Sequence, residues 1–436
     1  MTKDRVHQDT VIIGAGLAGL SAAYHIGDSA HVFEAKERVG GKATSETFEG
    51  FTFDVTGHWL HLRDPEIRRW ILDIVGEENF IKISRLSRVW SHGVYTQYPF
   101  QGNLYGLPAD VVKECLVGAV ESRIARVNGS PSEPERFDDW IRHYFGDGIA
   151  SHFMVPYNAK LWGVSAKEIT SQWCQRFVPK PDLEDIIAGA VGCKADAVGY
   201  NATFLYPKTG GIQIVANAIA RNVGDQNITL NAPVKTINFQ EKCVTFENGQ
   251  MCQYQRLIST MALPNLVDSL IDPPEAVVQA RHRLRANEVV YLNVGLRKPV
   301  GQPDHWIYVP ELKFPIYRVG SFSNANPNMV PPGCGSLYVE LSDRNTPLEK
   351  LEPMITSTLS EMGLIKTADD ILFMHERRIP NAYVLYDFHY QSARKTIMDF
   401  LHSEGIESIG RYGDWNYSSM EDALIDGRNA GSNGCG

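Results

Sequence analysis

The stretch TVIIGAGLAGLSAAYHIGDSAHVFE, Thr10 to Glu34, decides the fold. Thr10-Val11-Ile12-Ile13 is a short apolar run rich in β-branched residues, the pattern of a strand buried on both faces of a parallel sheet. It runs directly into Gly14-Ala15-Gly16-Leu17-Ala18-Gly19 and then LSAAYHI, which reads as a helix. Gly14 permits the tight turn, Gly16 lets the backbone approach a pyrophosphate, and Gly19 allows the helix to pack closely on the strand. The helix N-terminus offers free amides and partial positive charge to phosphates. His31-Val32-Phe33 is a second strand ending in Glu34, twenty positions after Gly14. A carboxylate there accepts hydrogen bonds from ribose hydroxyls. Strand, glycines, helix, strand and acid follow in order, so this part of the chain is expected to bind a dinucleotide.

Glu34 is followed by Ala35-Lys36-Glu37-Arg38-Val39-Gly40-Gly41-Lys42-Ala43-Thr44. This resembles the flavoprotein signature shared by the amine oxidase, protoporphyrinogen oxidase, carotene desaturase and UDP-galactopyranose mutase superfamily. In that signature an arginine and a Gly-Gly pair pass the diphosphate and ribityl chain. The resemblance implies FAD, and no linkage motif is present, so the flavin is expected to be non-covalent. The cofactor-binding residues it implies are Gly14, Gly16, Gly19, Glu34, Arg38, Gly40, Gly41, Lys42, Val234, Arg411, Ser419 and Met420.

The whole chain is 436 residues with 43% hydrophobic and 21% charged residues, an ordinary globular balance that excludes a disordered or fibrous chain. Its net charge of −9 lacks the basic excess of nucleic-acid binders, so no nucleic-acid partner is expected. No stretch approaches the ~20 apolar residues that span a bilayer, and the polar MTKDRVHQDT start carries no secretory apolar region. Seven cysteines are scattered without paired spacing, which fits reduced thiols in the cytoplasm. No heptad or apolar patch reveals an oligomeric state.

Downstream, ADVVKECLVGAVESRIARV and RFDDWIRHYFGDGIASHFM make residues 107–195 largely helical, interrupted by the polar loop NGSPSEPER. Asn231–Ile237 and Lys242–Phe246 are strands near a Glu247-Asn248-Gly249 turn, and Arg256–Thr260 is a further buried strand. Strands alternate with loops over 288–342, helices are expected over 350–362 and 394–404, and Ile406–Gly410 is a last strand. The expected fold is α/β. A two-dinucleotide-binding (Rossmann-like) FAD domain is assembled from 1–95, 205–265 and 401–436, with a helical insert at 96–204. An antiparallel-sheet substrate domain occupies 266–400.

Four further segments are similar to UDP-galactopyranose mutase, in the same order along most of the chain. Gly57-His58-Trp59-Leu60-His61 resembles that family's G-x-H-x-x-H loop beside the isoalloxazine. Tyr157-Asn158-Ala159-Lys160-Leu161-Trp162-Gly163-Val164-Ser165-Ala166-Lys167-Glu168 resembles its Tyr…Lys-x-Trp-Gly…Ser-Ala-Lys-Glu segment near the uridine. Phe314-Pro315-Ile316-Tyr317-Arg318 resembles a Pro-x-x-Arg stretch whose arginine holds a diphosphate. Ser408-Ile409-Gly410-Arg411, followed by Tyr417-Ser418-Ser419-Met420-Glu421-Asp422, resembles the closing region at the flavin. One feature departs from the family: Gly199–Pro207 contains no arginine where the mutases carry a second diphosphate clamp, and neither Arg176 nor Lys208 stands at the matching position.

This resemblance implies His58, His61, Arg318 and Tyr417 as catalytic residues and Tyr157, Trp162, Tyr317 and Arg318 as substrate-binding residues. The expected reaction is ring contraction of a nucleotide sugar, a UDP-sugar, through an adduct on reduced-flavin N5. The alternative is an FAD-dependent oxidoreductase taking a hydride from an amine or other small organic substrate. His58 and His61 lack a nearby third ligand, so no metal is expected.

Overall fold

The computed structural model describes residues 5–129, 132–193 and 203–432. Two seven-stranded sheets dominate it. In the first, the strand Arg5–Ile13 pairs in parallel with Ala30–Phe33 on one side and Met251–Ser259 on the other. Met251–Ser259 extends well upstream of the expected Arg256 start. Its first half pairs antiparallel with Cys243–Phe246 and its second half in parallel with Ile406–Ser408. Segments from the start, middle and end of the chain therefore make one sheet. The helices Leu17–Ile26, Gln213–Val223 and Met420–Ser432 belong to this layer, the first packing on both others. Val11, Ile12, Val32, Leu257 and Ile258 are fully buried, as two covered faces require.

The second sheet runs in the order Ile371–Val384, Ala286–Leu296, Gly335–Leu341, Ile316–Gly320, Trp306–Tyr308, Ser87–Ser91, Val94–Gln97. Every pairing is antiparallel except that between Trp306–Tyr308 and Ser87–Ser91. The hairpin Ser87–Gln97 thus joins this sheet, although it precedes the helical segment in sequence. The helices Ala109–Asn128, Phe137–Ile149, Val155–Trp162 and Leu183–Ala190 stand beside it and share one apolar core with parts of both sheets. No helix among the described residues is long and apolar enough to cross a membrane.

Candidate active site

A cavity of about 1460 Å³ runs between the two sheets and the helical segment. Its volume exceeds the ~300–1,000 Å³ of an ordinary small-molecule pocket. One end is built on the glycine turn. Gly14 sits at φ +98°, and a Cβ there would lie 2.2 Å from the Thr260 Oγ1. A Cβ on Gly19 would lie 2.0 Å from the Gly14 carbonyl oxygen, so the helix seats against the turn only with glycine present. Gly41, at φ +61°, brings its backbone against Gly16, closing a cradle whose walls are main chain. Glu34 is buried and accepts hydrogen bonds from the Ala15 N–H (2.7 Å) and the Lys36 N–H (2.9 Å), which fixes its carboxylate in the cavity wall. Val234 and Lys42 complete this end, and burial, aided by Lys36, pulls the Lys42 amine down to about 8.

The structure brings all but three of the sequence-predicted site residues onto this one cavity: Gly14, Gly16, Glu34, Gly40, Gly41, Lys42, His58, His61, Tyr157, Trp162, Val234, Arg318, Arg411, Tyr417, Ser419 and Met420. The three exceptions have physical reasons. Gly19 lies beneath the turn as a packing residue. Arg38 directs its guanidinium onto the Ser45 carbonyl (2.8 Å). Tyr317 is fully buried behind the wall, because successive side chains of a strand point to opposite faces and Arg318 takes the cavity side. Gly199–Ala202 and the Arg176 side chain lie outside the described residues.

His58 follows Thr56, a non-glycine residue at φ +58°, and Gly57, where any Cβ would meet the Tyr338 hydroxyl at 2.4 Å. This bend carries His58 into the wall, where its Nδ1 is buried and has no hydrogen-bond partner among the described residues. Burial lowers its pKa to about 4, so the ring is neutral at physiological pH. His61 Nδ1 faces the Thr203 carbonyl at 3.1 Å, and burial, aided by the Arg85 charge, lowers it likewise to about 4. No cluster of three or more metal-ligating side chains occurs among the described residues.

The other end is an aromatic chamber. Tyr157 stacks on Phe153 at 5.4 Å and meets Tyr308 edge-on at 5.3 Å. Trp162 packs against Trp173 and Tyr383, and its indole N–H donates to the Asn158 Oδ1 at 3.2 Å. Arg318 lies 4.5 Å from the Trp306 ring centroid and donates to Glu340 Oε1 (2.6 Å) and the Tyr383 hydroxyl (3.0 Å). Burial disfavours its charge, but Glu340 and the surrounding tyrosines outweigh burial and hold its pKa above the ordinary value. Arg411 joins the two ends: it donates to the Ser418 and Ala382 carbonyls and stands over the rings of Tyr383 and Tyr417. Burial raises the hydroxyls of Tyr157 and Tyr417, which keeps them protonated donors.

Sequence reading missed Arg85, Trp306, Tyr308 and Tyr383, all cavity-lining, and Glu340 behind Arg318. Glu340 had a signal: an acid in GSLYVEL, a strand apolar enough to be buried, needs a cation beside it.

The cavity fits a flavin dinucleotide on two observations: a main-chain cradle closed to Cβ atoms and a fixed carboxylate at the end of the second strand. The residues that would hold it are Gly14, Gly16, Glu34, Gly41, Lys42, Val234, Arg411 and the helix start at Met420.

Comparison with known proteins agrees. The chain is 25% identical to putrescine oxidase of Kocuria rosea over 248 residues, 54% of this chain and 50% of that protein. It is 24% identical to chloroplastic/mitochondrial protoporphyrinogen oxidase 2 of Arabidopsis thaliana over 302 residues, 58% of this chain and 57% of that protein. It thus spans about half the length of these curated relatives. The crystal structure of reduced UDP-galactopyranose mutase superposes with a TM-score of 0.91 at 28% identity, covering 98% of this chain and 95% of that one. The family model for flavin containing amine oxidoreductases matches residues 17–430. The chain belongs to the flavin containing amine oxidoreductase family, and its cofactor is FAD.

Proposed function

We propose that the protein is a flavin-dependent isomerase that contracts the sugar ring of a nucleotide sugar, with a UDP-hexopyranose as substrate. The observation that carries this reading is the convergence of four distant segments, 57–61, 157–162, 314–318 and 411–420, on a single cavity. Likeness to UDP-galactopyranose mutase over nearly the whole chain supports it.

The chemistry supplied by bound, reduced FAD is nucleophilic attack at the anomeric carbon of the sugar. The protein's share is positional and electrostatic. Arg318, preoriented by Glu340 and Tyr383, donates hydrogen bonds to the departing diphosphate. The hydroxyls of Tyr157 and Tyr417 donate hydrogen bonds to the same group. Trp162, its N–H already bonded to Asn158 and its ring packed by Trp173 and Tyr383, shapes the wall beside the base. His58, neutral, sets its ring in the cavity wall beside the flavin edge without adding charge. The ring of aromatic side chains excludes water, which would otherwise capture the reacting sugar.

The test is an anaerobic mixing of oxidised holoenzyme with UDP-galactopyranose and, separately, with mono- and diamines. The reading expects a ligand-induced shift of the flavin spectrum with UDP-galactopyranose and no bleaching with any amine. Bleaching by an amine, with peroxide formed on admitting air, would assign the protein to the oxidases.

A further inference from the structure

We infer that Arg85, on the turn between the strands Phe80–Ser84 and Ser87–Ser91, is the cation that sets specificity for a doubly anionic substrate. This rests on the nucleotide-sugar reading above. Arg85 lines the same cavity as Arg318, and the two guanidiniums share one indole: Arg318 lies 4.5 Å and Arg85 5.3 Å from the Trp306 ring centroid.

Their charge states differ in what surrounds them. Arg318 has its own carboxylate: Glu340 is fully buried and its Oε2 is 2.5 Å from Nη2, so the pair presents little net charge to a ligand. Arg85 is half-buried and forms no ion pair among the described residues. Its Nε donates to the Ser87 Oγ (2.7 Å) and its Nη2 to the Tyr308 hydroxyl (3.2 Å), both neutral acceptors. Tyr98, stacked on Tyr308 at 4.6 Å, also lies under the guanidinium at 5.8 Å. The head is held in orientation while its charge and Nη1 stay uncommitted. A preoriented guanidinium without a counter-charge, facing a largely apolar chamber, attracts an anion strongly and repels an ammonium group. A phosphate group seated against Trp306 would meet both arginines, and the charge of Arg85 would count in full.

The experiment is a titration of oxidised holoenzyme with UDP, UMP and uridine, followed by the flavin spectrum, for wild type, Arg85→Gln and Arg85→Lys. Glutamine keeps hydrogen-bonding capacity toward Ser87 and Tyr308 but removes the charge. Unchanged flavin content and thermal midpoint establish that each variant is folded. The expected result is a loss of UDP affinity of roughly tenfold or more in Arg85→Gln. UMP should lose less and uridine nothing. Arg85→Lys should fall between, and the salt dependence of UDP binding should be shallower in Arg85→Gln than in wild type. UDP binding that is indifferent to both substitutions would overturn the inference and leave the isomerase reading standing. Wild type that binds no UDP at all would overturn both.

Discussion

Arg318 and Glu340 form an ion pair that is almost wholly withdrawn from water, with Nη2 2.5 Å from Oε2 and side-chain exposures of 9% and 0%. A buried pair is held by mutual need: removing one partner strands the other's charge. Glu340→Met is therefore expected to cost about 3–5 kcal/mol of stability. Arg318→Met should cost as much, and the double replacement Arg318→Met/Glu340→Met much less than the sum. Chemical denaturation of the four proteins measures the coupling; additive losses would contradict the pairing. Arg318→Met should also weaken diphosphate binding, through the loss of its hydrogen bonds to the phosphates, whatever its stability.

The glycine cradle makes a second, sharper contrast. Gly14→Ala places a Cβ 2.2 Å from the Thr260 Oγ1 at φ +98°, and Gly41→Ala crowds the Gly16 backbone at φ +61°. Gly93, also at positive φ (+76°), has nothing within 4 Å of its would-be Cβ. All three alanines should carry backbone strain of about 1–2 kcal/mol, but only the first two should lose flavin on purification. Absorbance at the flavin band per mole of protein reads this directly. Equal flavin content in all three would refute the cradle.

His58 and His61 give the protein an acid limit. Both have folded-state values near 4, against 6.5 for an ordinary histidine. As pH falls through 6.5 the unfolded chain takes up protons that the folded chain refuses. Stability that is complete above 6.5 is lost progressively down to 4, and below 4 these two groups contribute no further slope. Thermal midpoints of His58→Gln/His61→Gln between pH 4 and 6.5 should therefore fall less steeply than those of wild type. A parallel pair of curves would contradict the assignment.

Lys160 anchors the chain that carries Arg318. Its buried amine donates to the carbonyls of Val309 (3.1 Å), Glu311 (2.5 Å) and Ile316 (2.9 Å), and burial pulls its pKa to about 7. Lys160→Met leaves those carbonyls unsatisfied and is expected to cost about 1–3 kcal/mol. Because the folded value lies below that of a free lysine, the cost of burying the charge is fully present below pH 7. It is relieved as pH rises from 7 to 10.5. The gap in stability between wild type and Lys160→Met should therefore widen over that range. Urea titrations at both ends of it decide the matter.

The sequence was legible where backbone geometry forces residue choice. The Gly14–Gly19 turn and the Glu34 strand end admit few alternatives, so the cofactor end could be read residue by residue. The aromatic chamber is set by tertiary packing and was read only where a family pattern marked it. Ile371–Val384, which supplies Tyr383, went unread because it is a polar edge strand containing Pro380, and edge strands lack the apolar alternation of central ones. Tyr317 and Arg318 could have been separated from sequence alone, since neighbours in a strand cannot both face one cavity. Arg85 carried no local pattern at all. Its place in the chamber depends on the hairpin Ser87–Gln97 joining a sheet built mostly from residues some 200 positions later.

Product analysis separates an isomerase from an oxidase. Holoenzyme, reduced with dithionite under anaerobic conditions, is incubated with UDP-galactopyranose and the nucleotide sugars are separated by chromatography. A second UDP-hexose of unchanged mass is expected, formed catalytically by the reduced protein, not by the oxidised one, and without net oxidation of the flavin. Unchanged UDP-galactopyranose, from a preparation that turns over amines in air, would contradict the isomerase reading.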